Sequence, residues 1–121
     1  MVTQQSSVKR AQKESLLHQL LLQLYLQLML DDKRLQGMSI TRVKLSPDKS
    51  VCSVFFHTDQ GELGFKERFN TLVLYKPSLR KAIADAIPSR YVPNLVFKYD
   101  AQVEKQQRVE EILKKIKDEA S

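Results

Sequence analysis

The stretch SLRKAIADAIPSRYVPNLVFKYD, residues 78–100, places a helix, a proline-marked turn and a strand next to one another. Its first part repeats apolar residues at the spacing of one helix face, and these residues are Leu79, Ala82, Ile83, Ala86 and Ile87. Pro88 ends this helix, because proline has no N–H donor and clashes with the preceding turn. From Asn94 to Tyr99 the large apolar residues take every second position, as in a half-buried strand. The stretch therefore predicts a small domain of the α+β class.

The size and charge of the chain suit one globular domain with an anionic partner. It has 121 residues, of which 42% are hydrophobic, enough for a core of its own. We expect the domain to span residues 8–117, with flexible ends at 1–7 and 118–121. The formal net charge of +6 favours a polyanion, most simply RNA or DNA. The single cysteine, Cys52, cannot form an internal disulfide, so a reducing, cytoplasmic location is expected.

A first helix is predicted from Val8 to about Leu30, and its second half is strongly apolar. Gln19, Gln23 and Gln27 interrupt the apolar run, which is shorter than the roughly 20 residues that a membrane-spanning helix needs. We therefore interpret it as the main core helix and expect no membrane association. Its apolar arc is wider than one sheet face requires, so part of it could stay exposed for a protein partner.

Two alternating segments, residues 39–45 and 51–57, predict a β-hairpin around a turn rich in serine, proline and aspartate. One face of the first strand is predicted to carry Thr41, Val43 and Leu45, and the other Ile40, Arg42 and Lys44. On the outer face of the sheet, Phe55 is either a platform for a stacked base or, as we expect, a ring that is covered by nothing or by a neighbouring side chain. A loop at residues 59–64 then leads to a second helix that reaches about Leu74.

A kink at Tyr75-Lys76-Pro77 is predicted to separate the second helix from the third. A residue before proline is disfavoured in the α region, so Lys76 should break the helix and Pro77 should begin the next one. After the third strand, Asp100 is predicted to cap a last helix. The dry face of that helix would carry Val109, Ile112, Leu113 and Ile116.

Two segments of the sequence resemble segments of a known protein family. SITRVKLSPD at residues 39–48 and RYVPNLVFKYD at residues 90–100 resemble the first strand with its turn, and the last strand, of the ribosome-binding factor A family. Arg108 with Val109, and the pair Ile112-Leu113, resemble the close of the same pattern, so the resemblance covers roughly residues 8–116. It implies a type II KH-like single domain, ordered α-β-β-α-kink-α-β with a C-terminal helix, in which a three-stranded sheet packs on helices.

The resemblance also implies a function. Family members are maturation factors of the small ribosomal subunit that bind free or precursor 30S particles at 16S ribosomal RNA, near its 5′-terminal helix. They assist late assembly and 5′-end processing, especially in the cold, and a ribosome-associated GTPase helps their release. By this resemblance we expect a monomer that is not an enzyme and needs no cofactor.

The kink departs from the family pattern. An ordinary KH domain carries Gly-x-x-Gly between its central helices, and this family carries Ala-x-Gly, whereas this chain has Tyr75-Lys76-Pro77. Proline does not allow the close approach of backbone to phosphate that glycine permits. Gly61 and Gly64 do spell Gly-x-x-Gly, but they precede the second helix and enclose a glutamate, so we interpret them as a chance match.

RNA contacts are therefore expected from side chains. The candidates are Lys9, Arg10, Lys13, Lys76, Ser78, Arg80, Lys81 and Arg90. No catalytic constellation and no metal-ligand spacing is recognisable, since neither histidine lies near a supported nucleophile. Two alternatives remain: a protein-interaction or dimerisation module that uses the apolar first helix, and a KH-type protein that binds a different RNA.

Overall fold

The computed structural model describes the backbone of residues 2–120 and the side chains of residues 8–119. Its elements are α1 (Val2–Asp31), β1 (Met38–Leu45), β2 (Val51–Thr58), α2 (Gly61–Leu74), α3 (Lys76–Ala86), β3 (Asn94–Tyr99) and α4 (Ala101–Ala120), with a 3₁₀ turn at Lys33–Leu35 after α1. This order confirms the predicted α-β-β-α-kink-α-β-α arrangement. The outer helices are longer than predicted, because α1 already begins at Val2 and α4 reaches Ala120. The flexibility of the two ends stays a prediction, and residues 1 and 121 lie outside the described part.

The sheet has the order β1-β2-β3, with β2 in the centre. β1 pairs with β2 antiparallel, as the predicted hairpin requires, and β2 pairs with β3 parallel. A parallel neighbour needs a crossover connection, which α2 and α3 supply between β2 and β3. The result is the predicted KH-like single domain of the α+β class.

The core lies between one face of the sheet and α1, α2 and α3. Phe56 of β2 stands at its centre, and its ring centroid lies 5.2 Å from that of Tyr25, 5.8 Å from that of Phe97 and 6.2 Å from that of Phe65. Apolar side chains from every surrounding element complete it, among them Leu17, Leu21, Leu72, Leu79, Ile83 and Leu95. The helical spacing that predicted α3 thus marks the face that it buries at Leu79 and Ile83, although Ala86 at the end of the helix is exposed.

The predicted faces of β1 are wrong at Ile40. The pairing with β2 shifts register between Ile40 and Arg42, which leaves Thr41 as the extra residue of a β-bulge. The bulge changes the phase of the alternation, so Ile40 is buried together with Val43 and Leu45 instead of facing outward beside Arg42. Alternation alone could not reveal the extra residue.

The predicted dry face of α4 is also wrong. Asp100 caps the helix as predicted, because its Oδ1 accepts a hydrogen bond of 3.1 Å from the Gln102 backbone N–H. Of the side chains described on this helix, only those of Val103 and Glu104 are half-buried. The four apolar residues predicted for the dry face, which we call the α4 stripe, are 54–59% exposed. They are Val109, Ile112, Leu113 and Ile116. Since α1, α2 and α3 already cover the core face of the sheet, the second half of α4 extends beyond the core.

The loop predicted at residues 59–64 is shorter than expected. α2 begins at Gly61, which has a φ of +72° that favours glycine. Gly64 is buried, and a Cβ atom there would lie 2.5 Å from Cβ of Gln60. The two glycines therefore serve the start and the close packing of α2, which supports the interpretation of this Gly-x-x-Gly as a chance match.

Candidate nucleic-acid interface

The kink between α2 and α3 lies at Tyr75. This residue has φ −89° and ψ −3°, and it caps both helices, while Lys76 is the first residue of α3. The prediction that Lys76 breaks the helix is thus displaced by one residue. Pro77 is tolerated in the first turn of α3, because a backbone N–H at that position has no partner within the helix.

The side chain of Tyr75 fastens the kink to the turn that follows α1. Its hydroxyl donates a hydrogen bond of 2.6 Å to Oδ2 of Asp32, and Nη2 of Arg34 donates one of the same length to that oxygen. These hydrogen bonds, the one from Arg34 first and the one from Tyr75 next, hold the pKa of the Asp32 carboxyl well below its usual range. The hydrogen bond to Asp32 in turn raises the pKa of Tyr75. Tyr75 is therefore a structural anchor of the kink.

The other candidates near the kink differ in their surroundings. Lys76 is half-buried, with Nζ 5.6 Å from the ring centroid of Phe97. Arg80 donates hydrogen bonds of 3.3 Å and 3.2 Å to the carbonyls of Pro93 and Val92, so its guanidinium holds the segment before β3. The side chains of Ser78 and Lys81 are exposed. At this end of α3, Lys81 is therefore the more accessible positive charge for a phosphate.

Three further candidates meet at a different place. Lys9 and Lys13 of α1 and Arg90 of the segment before β3 line one cleft of about 560 Å³, which we call the basic cleft. Nζ of Lys13 donates a hydrogen bond of 2.8 Å to Oγ of Ser89 and joins two of its walls. Seven of the eight predicted residues thus divide into a group at the kink and a group at the basic cleft, while Arg10 is half-buried on α1 and belongs to neither group.

Two residues of the basic cleft were missed by the sequence analysis. Lys49, in the β1–β2 turn, adds a fourth positive charge, and Tyr91 adds an aromatic ring that is 70% exposed. The guanidinium carbon of Arg90 lies 5.5 Å from the ring centroid of Tyr91. A tyrosine between two prolines, Pro88 and Pro93, is the signal that the sequence offers, but nothing local indicates that the hairpin turn reaches α1.

The basic cleft also contains one carboxylate. Oδ1 of Asp48 accepts hydrogen bonds of 2.7 Å from the hydroxyls of Ser46 and Ser50 and one of 3.1 Å from the Ser50 backbone N–H. These hydrogen bonds, those from Ser50 and Ser46 above all, lower the pKa of Asp48 to about 2, so it is charged at neutral pH. Four cationic side chains against one anionic side chain leave the basic cleft attractive to a phosphate group.

On the outer face of the sheet, two cationic side chains lie against the ring of Phe55. The guanidinium carbon of Arg42 lies 4.0 Å from the Phe55 ring centroid, and Nζ of Lys98 lies 5.9 Å from it. The ring is therefore covered by neighbouring cations, the second of the two alternatives given for it. A base could stack here only after displacing Arg42.

Other kinds of site find little support in the described residues. None of the helices within residues 2–120 combines the length and apolar character needed to span a membrane. Nowhere in the described part of the chain do three or more His, Cys, Asp or Glu side chains come together in a way that could hold a metal ion. Cys52 is fully buried, and burial raises the pKa of its thiol to about 12, so it is a poor nucleophile at neutral pH.

Comparison with known proteins places this arrangement in context. Residues 9–113 match the family model described as Ribosome-binding factor A. The Ribosome-binding factor A of Citrifermentans bemidjiense is 36% identical over 87 residues, which is 72% of this chain and 73% of that protein. The Ribosome-binding factor A of Coxiella burnetii is 34% identical over 105 residues, 85% of each protein. The crystal structure of ribosome-binding factor A from Thermus thermophilus is similar at a TM-score of 0.60 and 30% identity, covering 73% of this chain and 92% of that one.

Proposed function

Because the chain belongs to the ribosome-binding factor A family, we propose that it binds the small ribosomal subunit and assists its late assembly. The ligand would be the free or precursor 30S particle, contacted through 16S ribosomal RNA near its 5′-terminal helix, and 5′-end processing would be the step assisted. For the Thermus thermophilus relative, a homology model has been fitted into a cryo-EM map of a complex with the 30S subunit. That observation concerns the relative. For this chain, binding to the 30S subunit is proposed because the chain belongs to the same family.

The observation that carries the proposal is the convergence of positive charge from distant parts of the sequence. α1, the β1–β2 turn and the segment before β3 each contribute to the basic cleft, and their charged groups are Lys9, Lys13, Lys49 and Arg90. Such a surface suits the phosphates of a folded RNA, which supply most of the affinity in this kind of binding. Binding by phosphate contacts needs neither a cofactor nor a chemical step, so the protein would act by occupying the RNA and not as an enzyme.

Several finer points follow from the same proposal. The protein would work in the cytoplasm as a monomer, would matter most in the cold, where misfolded RNA rearranges slowly, and would leave the subunit with the help of a ribosome-associated GTPase. Family resemblance supports these points.

The test is co-sedimentation of the purified chain with 30S and 70S particles over a series of salt concentrations. The test variant is Lys9→Ala/Lys81→Ala/Arg90→Ala, which removes exposed charges from the basic cleft and from α3. Lys105→Ala/Arg108→Ala/Lys114→Ala is the matched control, because it removes the same charge from exposed positions of α4. We expect salt-sensitive binding to 30S in preference to 70S.

The salt dependence makes the test quantitative. Each lost phosphate contact should lower the magnitude of the slope of log affinity against log salt by about 0.7 to 0.9. The slope of the test variant should therefore fall by roughly 2 to 3, and the slope of the control should change little. An equal loss of affinity for 30S in both variants would mean that the net charge of the chain determines binding and that the RNA-binding site lies elsewhere. A wild-type chain that sediments with neither particle would overturn the proposal. Equal affinity for an unrelated structured RNA would favour a different RNA target.

A second candidate function rests on the outer face of α1. Leu16, Leu22, Leu26 and Leu30 are exposed there, and residues 15–30 contain no Asp, Glu, Lys or Arg. This face could join two copies of the chain, since exposed leucines on a surface without charged groups favour self-association. Sedimentation equilibrium distinguishes the two functions: a monomer that binds 30S supports the first, and a dimer that ignores 30S supports the second.

A further inference from the structure

We propose that the basic cleft receives a single unstacked nucleotide of the bound RNA, with its base on the ring of Tyr91 and its phosphates near Lys9 and Arg90. The proposal rests on the proposed function and assigns a defined task to one part of the interface. It differs from general attraction of phosphates, because it requires an aromatic contact that duplex RNA cannot make.

The shape and lining of the basic cleft suit a nucleotide. Its volume of about 560 Å³ falls within the roughly 300 to 1,000 Å³ of clefts that hold small ligands. Leu16, Ile87 and Pro88 supply apolar wall, and the cationic groups lie around it. A concave site with an apolar wall and a basic lining matches the flat base and charged phosphate of one nucleotide. The bases of a duplex are stacked on one another and could not enter.

Tyr91 is held in place although it is largely exposed, with the guanidinium carbon of Arg90 5.5 Å from its ring centroid. Oγ of Ser89 donates a hydrogen bond of 2.9 Å to the Tyr91 carbonyl, and that same hydroxyl accepts the hydrogen bond from Lys13. On the other side of Tyr91, Arg80 binds the carbonyls of Val92 and Pro93. The segment is thus anchored from α1 and from α3, while 70% of Tyr91 is exposed. An aromatic ring on an anchored backbone provides a stacking platform with little ordering cost.

The charges of the basic cleft fix the orientation of the nucleotide. Asp48 lines the basic cleft and would repel a phosphate, so the phosphates lie toward Lys9 and Arg90. All the hydrogen bonds described for the Asp48 side chain use Oδ1. Its Oδ2 can therefore accept a hydrogen bond from the polar edge of the base.

The experiment measures binding of a fluorescein-labelled adenylate pentanucleotide to the full chain by anisotropy at low salt, with a short RNA duplex as the competing probe. Base stacking on an aromatic side chain contributes about 1 to 3 kcal/mol, so Tyr91→Ala should weaken pentanucleotide binding about 5- to 150-fold. Tyr91→Phe keeps the ring and should stay within about twofold of the wild type. Because Tyr91 is exposed, circular dichroism melting should show both variants folded.

The outcomes separate this inference from the proposed function. It is overturned if the wild type does not bind the pentanucleotide, if Tyr91→Ala binds as well as the wild type, or if Tyr91→Phe loses as much as Tyr91→Ala. Any of these results, together with intact sedimentation of the wild type with 30S, removes the nucleotide site and leaves the proposed function standing. Failure of the wild type to sediment with 30S would instead remove the function on which the site rests.

Discussion

Asp100 joins the bulge of β1, the end of β3 and the start of α4 through one buried carboxylate that is 3% exposed. Its Oδ2 accepts a hydrogen bond of 2.6 Å from Oγ1 of Thr41, the bulged residue, and lies 3.2 Å from Nε of Arg42. Its Oδ1 caps α4 through the Gln102 N–H, and its own N–H donates to the carbonyl of Phe56 at 2.7 Å. We therefore expect Asp100→Ala to destabilise the whole domain.

The size of the effect follows from these contacts. Loss of a helix N-cap costs about 1 kcal/mol. Loss of a hydrogen bond to a charged acceptor costs about 1.5 to 3 kcal/mol. The ion pair with Arg42 adds little, because the arginine side chain is partly exposed. Asp100→Ala should therefore lower the free energy of unfolding by about 3 kcal/mol and Tm by roughly 10 °C.

The assay is urea unfolding followed by circular dichroism, with Thr41→Val and the double variant completing a thermodynamic cycle. The coupling energy between Thr41 and Asp100 should be about 1 to 2 kcal/mol, since the two side chains share one hydrogen bond. Asp100→Asn is the matched control, because it keeps the shape of the side chain and a capping oxygen. Its free energy of unfolding should therefore fall by less than that of Asp100→Ala. A loss below about 1 kcal/mol in Asp100→Ala, or strict additivity with Thr41→Val, would refute the reasoning.

Three further predictions concern other parts of the domain. The lowered pKa of Asp32 contributes stability that is fully present above the unfolded-state pKa of about 4 and is lost as the pH falls from there toward the folded-state pKa. Tyr75→Phe raises this folded-state pKa, so it should reduce the acid-induced loss of stability measured by urea unfolding between pH of about 4 and 2, and an unchanged pH profile would contradict this. Cys52 should react with a thiol reagent near pH of about 8 only after unfolding, whereas rapid reaction of the native protein would show that it is accessible. Ile112→Ala on exposed α4 should change the free energy of unfolding by less than about 0.5 kcal/mol and Leu72→Ala by about 2 to 5 kcal/mol, and equal losses would mean that α4 packs on the core.

The basic cleft shows how far sequence reasoning reaches toward a site. Lys9, Lys13 and Arg90 can be predicted because they are basic and flank predicted elements, and the structure brings all three together. Lys49 and Tyr91 cannot be predicted in the same way, because their role depends on the hairpin turn meeting α1. That meeting results from the packing of β1 against α1, which no local pattern encodes.

The sequence by itself determined the number, type and order of the helices and strands, and most of the core. These features depend on the spacing of apolar residues, on prolines such as Pro88 and on the capping residue Asp100, all of which act over a few neighbouring residues. Only the tertiary structure decided the bulge at Thr41, the exposure of the α4 stripe and the hydrogen bond from the Tyr75 hydroxyl to Asp32. The physical reason is that each depends on contacts between residues distant in the chain, which arise only when the elements pack.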